Sequence, residues 1–565
     1  MGTYIKLDDY NNPNVKRDEF FNEKNRYIQD DSIFKYLPGK IYSYWVNRHL
    51  IESFEDSKNV EDIADGKVGL QTGNNDLFLR LWFEVQPSHI SFDGNKTVRW
   101  YPYNKGGTVR RWYGNNEYVV DWENDGKKVR SYDGAFPRNT EYYFKDGITW
   151  SDVKSGPISM RKMPSNCAFD TCAPCLFSDE NEELLLAFFN SKIAQEYCDF
   201  MTSPLHYTCG AILQIPVLTD GEFDKQKVNE CVAIAKEEWD SYETSWDFVK
   251  HPLIKYNAKI SSVYEEWEQV ARDRIIKLKE KEEFFNDYFI RTYNMGESIS
   301  KEVDDSKITL RTANLTADVK SLISYAVGCI MGRYSLKEEG LVFAGGTWDE
   351  SKYSSEFMPC EFGVLPITEE QFFQEDLCTR VIDFIEVVYG KDNFSDNLKF
   401  IAAALKPDSF DSPKKVIREY LFKSFFEDHY QMYQHRPIYW QCDSGKVGGF
   451  RAILYMHRYD ENTLPIVRTE YIQELRYKYE EEVQRQKGKL EAATTTAARN
   501  SVKRDITLLD KKIVECVAYD ELLNHASSSI GKYVFDSDDG VKNNYGKFLS
   551  IDGDNTKNIL TVIKL

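Results

Sequence analysis

The residue types able to do chemistry concentrate in Pro102–Trp122, PYNKGGTVRRWYGNNEYVVDW, and in the upstream turn Gly69–Phe78, GLQTGNNDLF. Such side chains can neutralise phosphates, bond base edges and stack on a base while a packed sheet holds them in place. Lys105, Arg110, Arg111, Lys127, Lys128 and Arg130 are the candidate phosphate holders, and one arginine could read a guanine in bidentate fashion. Asn74, Asn75, Asn104 and Asn115 are candidates for base-edge bonds or for support of the turns they occupy. Trp112 and Tyr113 either stack on an unpaired base or pack into the core. Between Lys96 and Lys162, including Arg138, there are 13 lysines and arginines against 8 acids, in a chain whose net charge is −19. A basic island on an acidic body suits a protein that grips DNA in one place.

Other chemistries find little support. Gly66, Gly69 and Gly73 lack the Gly-Lys-Ser/Thr of a phosphate loop. Asp408 and Glu419 resemble part of a metal nuclease, but Leu421 stands where a lysine is needed. Asp536–Gly540 lacks the oxygen spacing of a calcium loop. Cys167, Cys172 and Cys175, with His206 or Cys209, form one incomplete zinc set; buried thiols are the alternative. The eight histidines include no HExxH pair.

These residues need an ordinary globular frame. The chain has 565 residues, 42% apolar and 29% charged, enough for several domains with sizeable cores. No apolar run reaches membrane-spanning length, and no signal peptide opens the chain. Eleven irregularly spaced cysteines read as reduced thiols, so a cytoplasmic location is expected. Residues 1–38 are polar and broken at Asn11–Asn14, as in a linker or a remnant of a preceding domain. Met1-Gly2 running straight into TYIKL suggests a chain cut from something longer. Residues 39–220 alternate short aromatic strands with Gly, Asn and Asp turns, with a helix over Glu182–Met201 and a closing strand over Gly210–Leu218. Residues 221–300 carry helical stripes, Val228, Cys231, Ala235, Trp239 and Tyr242, then Tyr264, Trp267, Ala271, Ile275 and Leu278. Residues 301–460 form a second α/β block with an apolar helix at Leu322–Tyr334 and a strand at Gly449–Tyr459. Residues 461–530 predict two charged helices about 25–35 Å long, a spacer or helical hairpin. Residues 531–565 end in the strand NILTVIKL.

Several segments together carry a resemblance: GLQTGNNDLFLRLW (Gly69–Trp82), PYNKGGTVRRWYGNNEYVVDWENDG (Pro102–Gly126), PRNTEYYFKDGITWS (Pro137–Ser151), EEWDSYETSWDF (Glu237–Phe248), SYAVGCIMGRYSL (Ser324–Leu336) and RPIYWQCDSGKVGGFRAILYMHRY (Arg436–Tyr459). In this order they resemble the C-terminal half of the PglX family, the adenine-N6 DNA methyltransferases of BREX phage-defence systems. The resemblance implies an α+β, multidomain chain. It would comprise a target-recognition domain like those of TaqI-type methyltransferases and type I specificity subunits, a helical spacer, a second α/β block and a C-terminal helical hairpin. It further implies that Gln71, Thr72, Asn74 and Asn75 lie on the DNA side. S-adenosylmethionine and the Asn-Pro-Pro-Tyr motif that receives a flipped adenine belong to the family's other half. This chain has no such tetrapeptide, so no cofactor and no catalysis are expected of it alone. The expected partners are double-stranded DNA, an N-terminal methyltransferase domain in cis or trans and other BREX subunits, with no membrane. The alternative is a non-catalytic protein-interaction component of the same assembly.

Overall fold

The computed structural model describes residues 1–94, 97–529, 533–550 and 558–565. Mixed helix and sheet divide into two compact units. Unit one holds Met1–Leu79, Ser91–Trp239 and Arg272–Arg311; unit two holds Arg80–Ile90, Asp240–Ala271 and Thr312–Leu565. The chain passes repeatedly between these two units.

In unit one, Asp65–Lys67, Cys175–Phe177, Gly147–Thr149 and Arg161–Met163 form an antiparallel sheet in that order. A second set of strands pairs Trp100–Asn104 antiparallel with Tyr118–Asp121 and parallel with Ala168–Phe169. Aromatic residues drive this assembly: Tyr101, Tyr103, Trp122, Tyr143, Phe169 and Phe177 share one buried cluster. Three expectations change here. Residues 1–38 are not a bare linker, because Gly2–Ile5 pairs with Arg26–Gln29 and Ile33, Phe34 and Leu37 enter the core. The helix expected over 182–201 is two, Glu182–Phe189 and Lys192–Met201, since the Ser191 side chain accepts from Ala194 N and starts a new helix. Gly210–Leu218 begins as part of the short helix Cys209–Leu213, and only its end pairs with neighbouring backbone, Ile215 O accepting from Val60 N at 3.0 Å.

Unit two centres on the helix Leu315–Met331, nearly all buried because apolar side chains occupy every face. Gly332 ends it at φ +85°, where a Cβ would lie 2.4 Å from the Trp348 ring. A three-stranded antiparallel sheet, Val364–Ile367, Arg451–Tyr455, Tyr439–Asp443, packs in the same unit. The two charged helices are Gln473–Ala492 and Thr496–Ser528, about 30 and 50 Å long at 1.5 Å per residue. Leu475, Tyr479 and Val483 on the first and Cys516, Tyr519 and Leu523 on the second are buried, the apolar seam of a helical hairpin. Of the expected terminal strand, Leu560 bridges Cys442 and Thr561 N donates to Gln441 O at 2.9 Å.

Candidate nucleic-acid interface

The expected site residues separate into two groups in unit one. The first lies on a surface turn, where Gln71 and Asn75 are exposed, Asn74 is half-buried and Thr72, against expectation, is buried. Gln71 and Phe136 exchange backbone hydrogen bonds of 3.2 and 2.8 Å, tying the turn at 71–77 to the loop at 131–138. Gly73, at φ +70°, sits so close to the second loop that a Cβ would meet the Gly134 backbone at 2.8 Å. Asn74 caps the short helix Asn75–Phe78, its Oδ1 accepting from Leu77 N at 3.1 Å, while its Nδ2 donates to the Tyr132 hydroxyl at 3.4 Å. Thr72 is buried and donates to Asn75 Oδ1 at 2.6 Å, so it orders the turn and leaves the exposed Asn75 amide nitrogen outward.

The cations of this rim come from the segment after Trp122. Asn124, Asp125 and Gly126 all have positive φ, and regular helix begins only at Lys127. That sharp reversal turns Lys127, Lys128 and Arg130 to solvent. Lys128 pairs with Glu123 at 2.8 Å, and Arg130 pairs with Asp125 at 3.2 Å while lying 5.2 Å over the Trp122 ring. Lys127 and Arg138 are exposed and have no ion pair among the described residues. Phe136, 52% exposed, and Leu77, 47% exposed, add apolar area that composition and charge counting did not single out.

The second group is buried or half-buried in internal contacts, against the expectation that Lys105, Arg110 and Arg111 hold phosphates and in line with the turn-support and core alternatives for Asn104, Asn115 and Trp112. Arg110 is 5% exposed; it pairs with Glu238, donates to Tyr113 O at 2.7 Å and stacks 4.8 Å from the Trp239 ring. Arg111 meets Glu282 at 2.6 Å, and the same carboxylate accepts from Trp112 Nε1 at 2.8 Å. Trp112 therefore has no face open to a base. Asn104 is buried, donating to Thr149 Oγ1 at 2.6 Å, and Asn115 is buried at φ +58°, donating to Thr108 O at 2.9 Å. Lys105 is half-buried beside Asp170 at 3.5 Å. Arg110, Arg111 and Trp112 tie their loop to the helices Lys225–Trp239 and Ile260–Thr292 through carboxylates far away in sequence. Cys175 and Cys167 are buried thiols; burial pushes both up, Cys175 to about 12, which keeps them protonated. No group of metal-binding side chains occurs among the described residues.

Trp100–Asn104 pairs parallel with Ala168–Phe169 over two residue pairs. No helix among the described residues is long and apolar enough to cross a membrane.

No protein-family model matches this chain. Along almost its whole length it is similar to two adenine-specific methyltransferases, PglX and BrxX. One, adenine-specific methyltransferase PglX of Lacticaseibacillus casei (strain Zhang), is 35% identical over 580 residues, covering 97% of this chain and 48% of that protein. Another, adenine-specific methyltransferase BrxX of Escherichia coli O9:H4 (strain HS), is 33% identical over 577 residues, covering 95% of this chain and 47% of that protein. The chain thus spans about half the length of the curated relatives it matches.

Proposed function

We propose that this chain is the duplex-DNA recognition portion of a BREX adenine-N6 DNA methyltransferase. Methyl transfer would belong to a partner half, in the same or another chain, that holds S-adenosylmethionine. The observation that carries this reading is the near end-to-end similarity to about half of two adenine-specific methyltransferases. The surface rim supports it: Gln71 and Asn75 offer amides, Lys127 and Arg138 offer cations without an ion pair among the described residues, and paired backbone holds both loops. Amides on rigid turns suit base-edge bonds, and flanking cations suit phosphates.

The test is fluorescence anisotropy of a labelled duplex across a salt titration. Lys127→Ala/Arg138→Ala should make the plot of log affinity against log salt shallower by about 2, one step for each phosphate no longer neutralised. Its unfolding midpoint should match the parent. Absence of duplex binding by the parent chain at low salt would refute the reading. It would favour the second one, a non-catalytic component that docks other BREX subunits through its acidic body, for which the net charge of −19 speaks.

A further inference from the structure

The tip of the helical hairpin in unit two is a separate electrostatic feature. From Arg485 to Arg504 the sequence carries six cations, Arg485, Lys487, Lys489, Arg499, Lys503 and Arg504, against the single acid Glu491. All six are exposed. Arg485 is engaged by Glu482 at 2.6 Å, and Arg499 Nε donates across the turn to Ala493 O at 3.0 Å. Lys487, Lys489 and Lys503 have no ion pair among the described residues.

From 484 to 511 no side chain is fully buried, and the apolar Leu490, Val502, Ile506 and Leu509 are half-buried. The first arm extends about 15 Å past Val483, its last fully buried residue, at 1.5 Å per residue. Its connection to the second arm, Ala492–Ala498, contains only alanine and threonine, so a polyanion can approach the backbone closely. Like charges gathered on a projecting tip repel one another unless an anion neutralises them. An anionic membrane is a poor fit, because Arg485–Arg504 has no aromatic or large exposed apolar anchor.

We propose that this tip is a second grip on the phosphate backbone of double-stranded DNA, made without base reading. The proposal rests on the duplex-recognition reading above and adds to it a hold insensitive to sequence. Such a hold raises affinity for all duplexes alike, while the rim in unit one supplies discrimination.

The experiment uses the full chain and Lys487→Gln/Lys489→Gln/Lys503→Gln. Glutamine keeps helix propensity at exposed positions, and circular dichroism melting checks that the fold is retained. With three phosphates no longer neutralised, the salt slope should fall by about 2.7, and the parent-to-variant affinity ratio should shrink about 40-fold between 50 and 200 mM salt. The weakening should be equal for duplexes of unrelated sequence. If the parent binds duplex and the triple variant superimposes on it at every salt concentration, the tip proposal is overturned while the recognition reading stands. If the variant loses affinity for poly-glutamate but not for duplex, the tip takes an acidic protein and the proposal likewise falls. If the parent binds no duplex at low salt, both fail together.

Discussion

Replacing Arg110 should destabilise the fold rather than merely weaken DNA binding. Its guanidinium pairs with Glu238, bonds the Tyr113 carbonyl at 2.7 Å and stacks on Trp239. The side chains of Arg110 and Glu238 are 6% and 3% exposed, so the pair is out of water. Truncating one partner of a buried pair leaves the other charge uncompensated and costs about 3–5 kcal/mol. Arg311 also meets Glu238, at 2.9 Å, and its side chain is 40% exposed. That second cation still partners the carboxylate, so the destabilisation by Arg110→Met should fall near the lower figure, ~3 kcal/mol. Arg110→Met/Glu238→Leu removes both charges, and Arg311 can turn to water, so most of the stability should be recovered. Urea denaturation followed by tryptophan fluorescence measures both, with an unchanged slope certifying the same transition. A destabilisation below about 1 kcal/mol, or weakened duplex affinity at an unchanged midpoint, would show that Arg110 is a DNA ligand after all.

Three further outcomes follow from the geometry. Burial pushes the Glu243 carboxyl from its ordinary 4.5 up to about 7, so the folded chain retains a proton that the unfolded chain has released. Stability should therefore fall by ~3 kcal/mol as pH rises from about 4.5 to about 7, and Glu243→Gln should flatten that profile in pH-dependent urea melts. Parallel profiles would refute it. Gly73→Ala forces a Cβ into the Gly134 backbone at positive φ and should cost about 1–3 kcal/mol, read as an earlier unfolding midpoint. Asn74→Ala removes the bond to Leu77 N and should cost ~1 kcal/mol, with faster amide exchange at Leu77 as the local signature.

The buried centre of unit two joins three of the motifs that carry the family resemblance. Arg333 and Tyr334 come from one, Tyr439 and Tyr455 from another, and Glu243 from a third. Arg333 Nη1 donates to the Tyr455 hydroxyl at 3.2 Å, and Ser324 Oγ donates to Glu243. Together they form a buried polar network holding helix to sheet, where each unmade bond is costly. A motif that carries a resemblance is therefore not by itself a map of DNA-touching residues.

Local pattern was enough for some features. Helical spacing placed Val228, Cys231, Ala235 and Trp239 on one buried face of Lys225–Trp239, whereas Tyr242, expected on the same stripe, lies past the helix end and is half-buried. The charged stretch after residue 470 became two helices with a turn in its Ala/Thr-rich interval. These depend on neighbours a few residues apart, which periodicity encodes. Charge density also located the basic island, but it could not sort that island into buried and exposed members. The fate of Arg110 was decided by Glu238, 128 residues away, and that of Arg111 by Glu282, 171 residues away. Lys127, with no such carboxylate brought to it among the described residues, stays at the surface. A cation's role depends on which distant acid the folded chain delivers, and only tertiary structure states that.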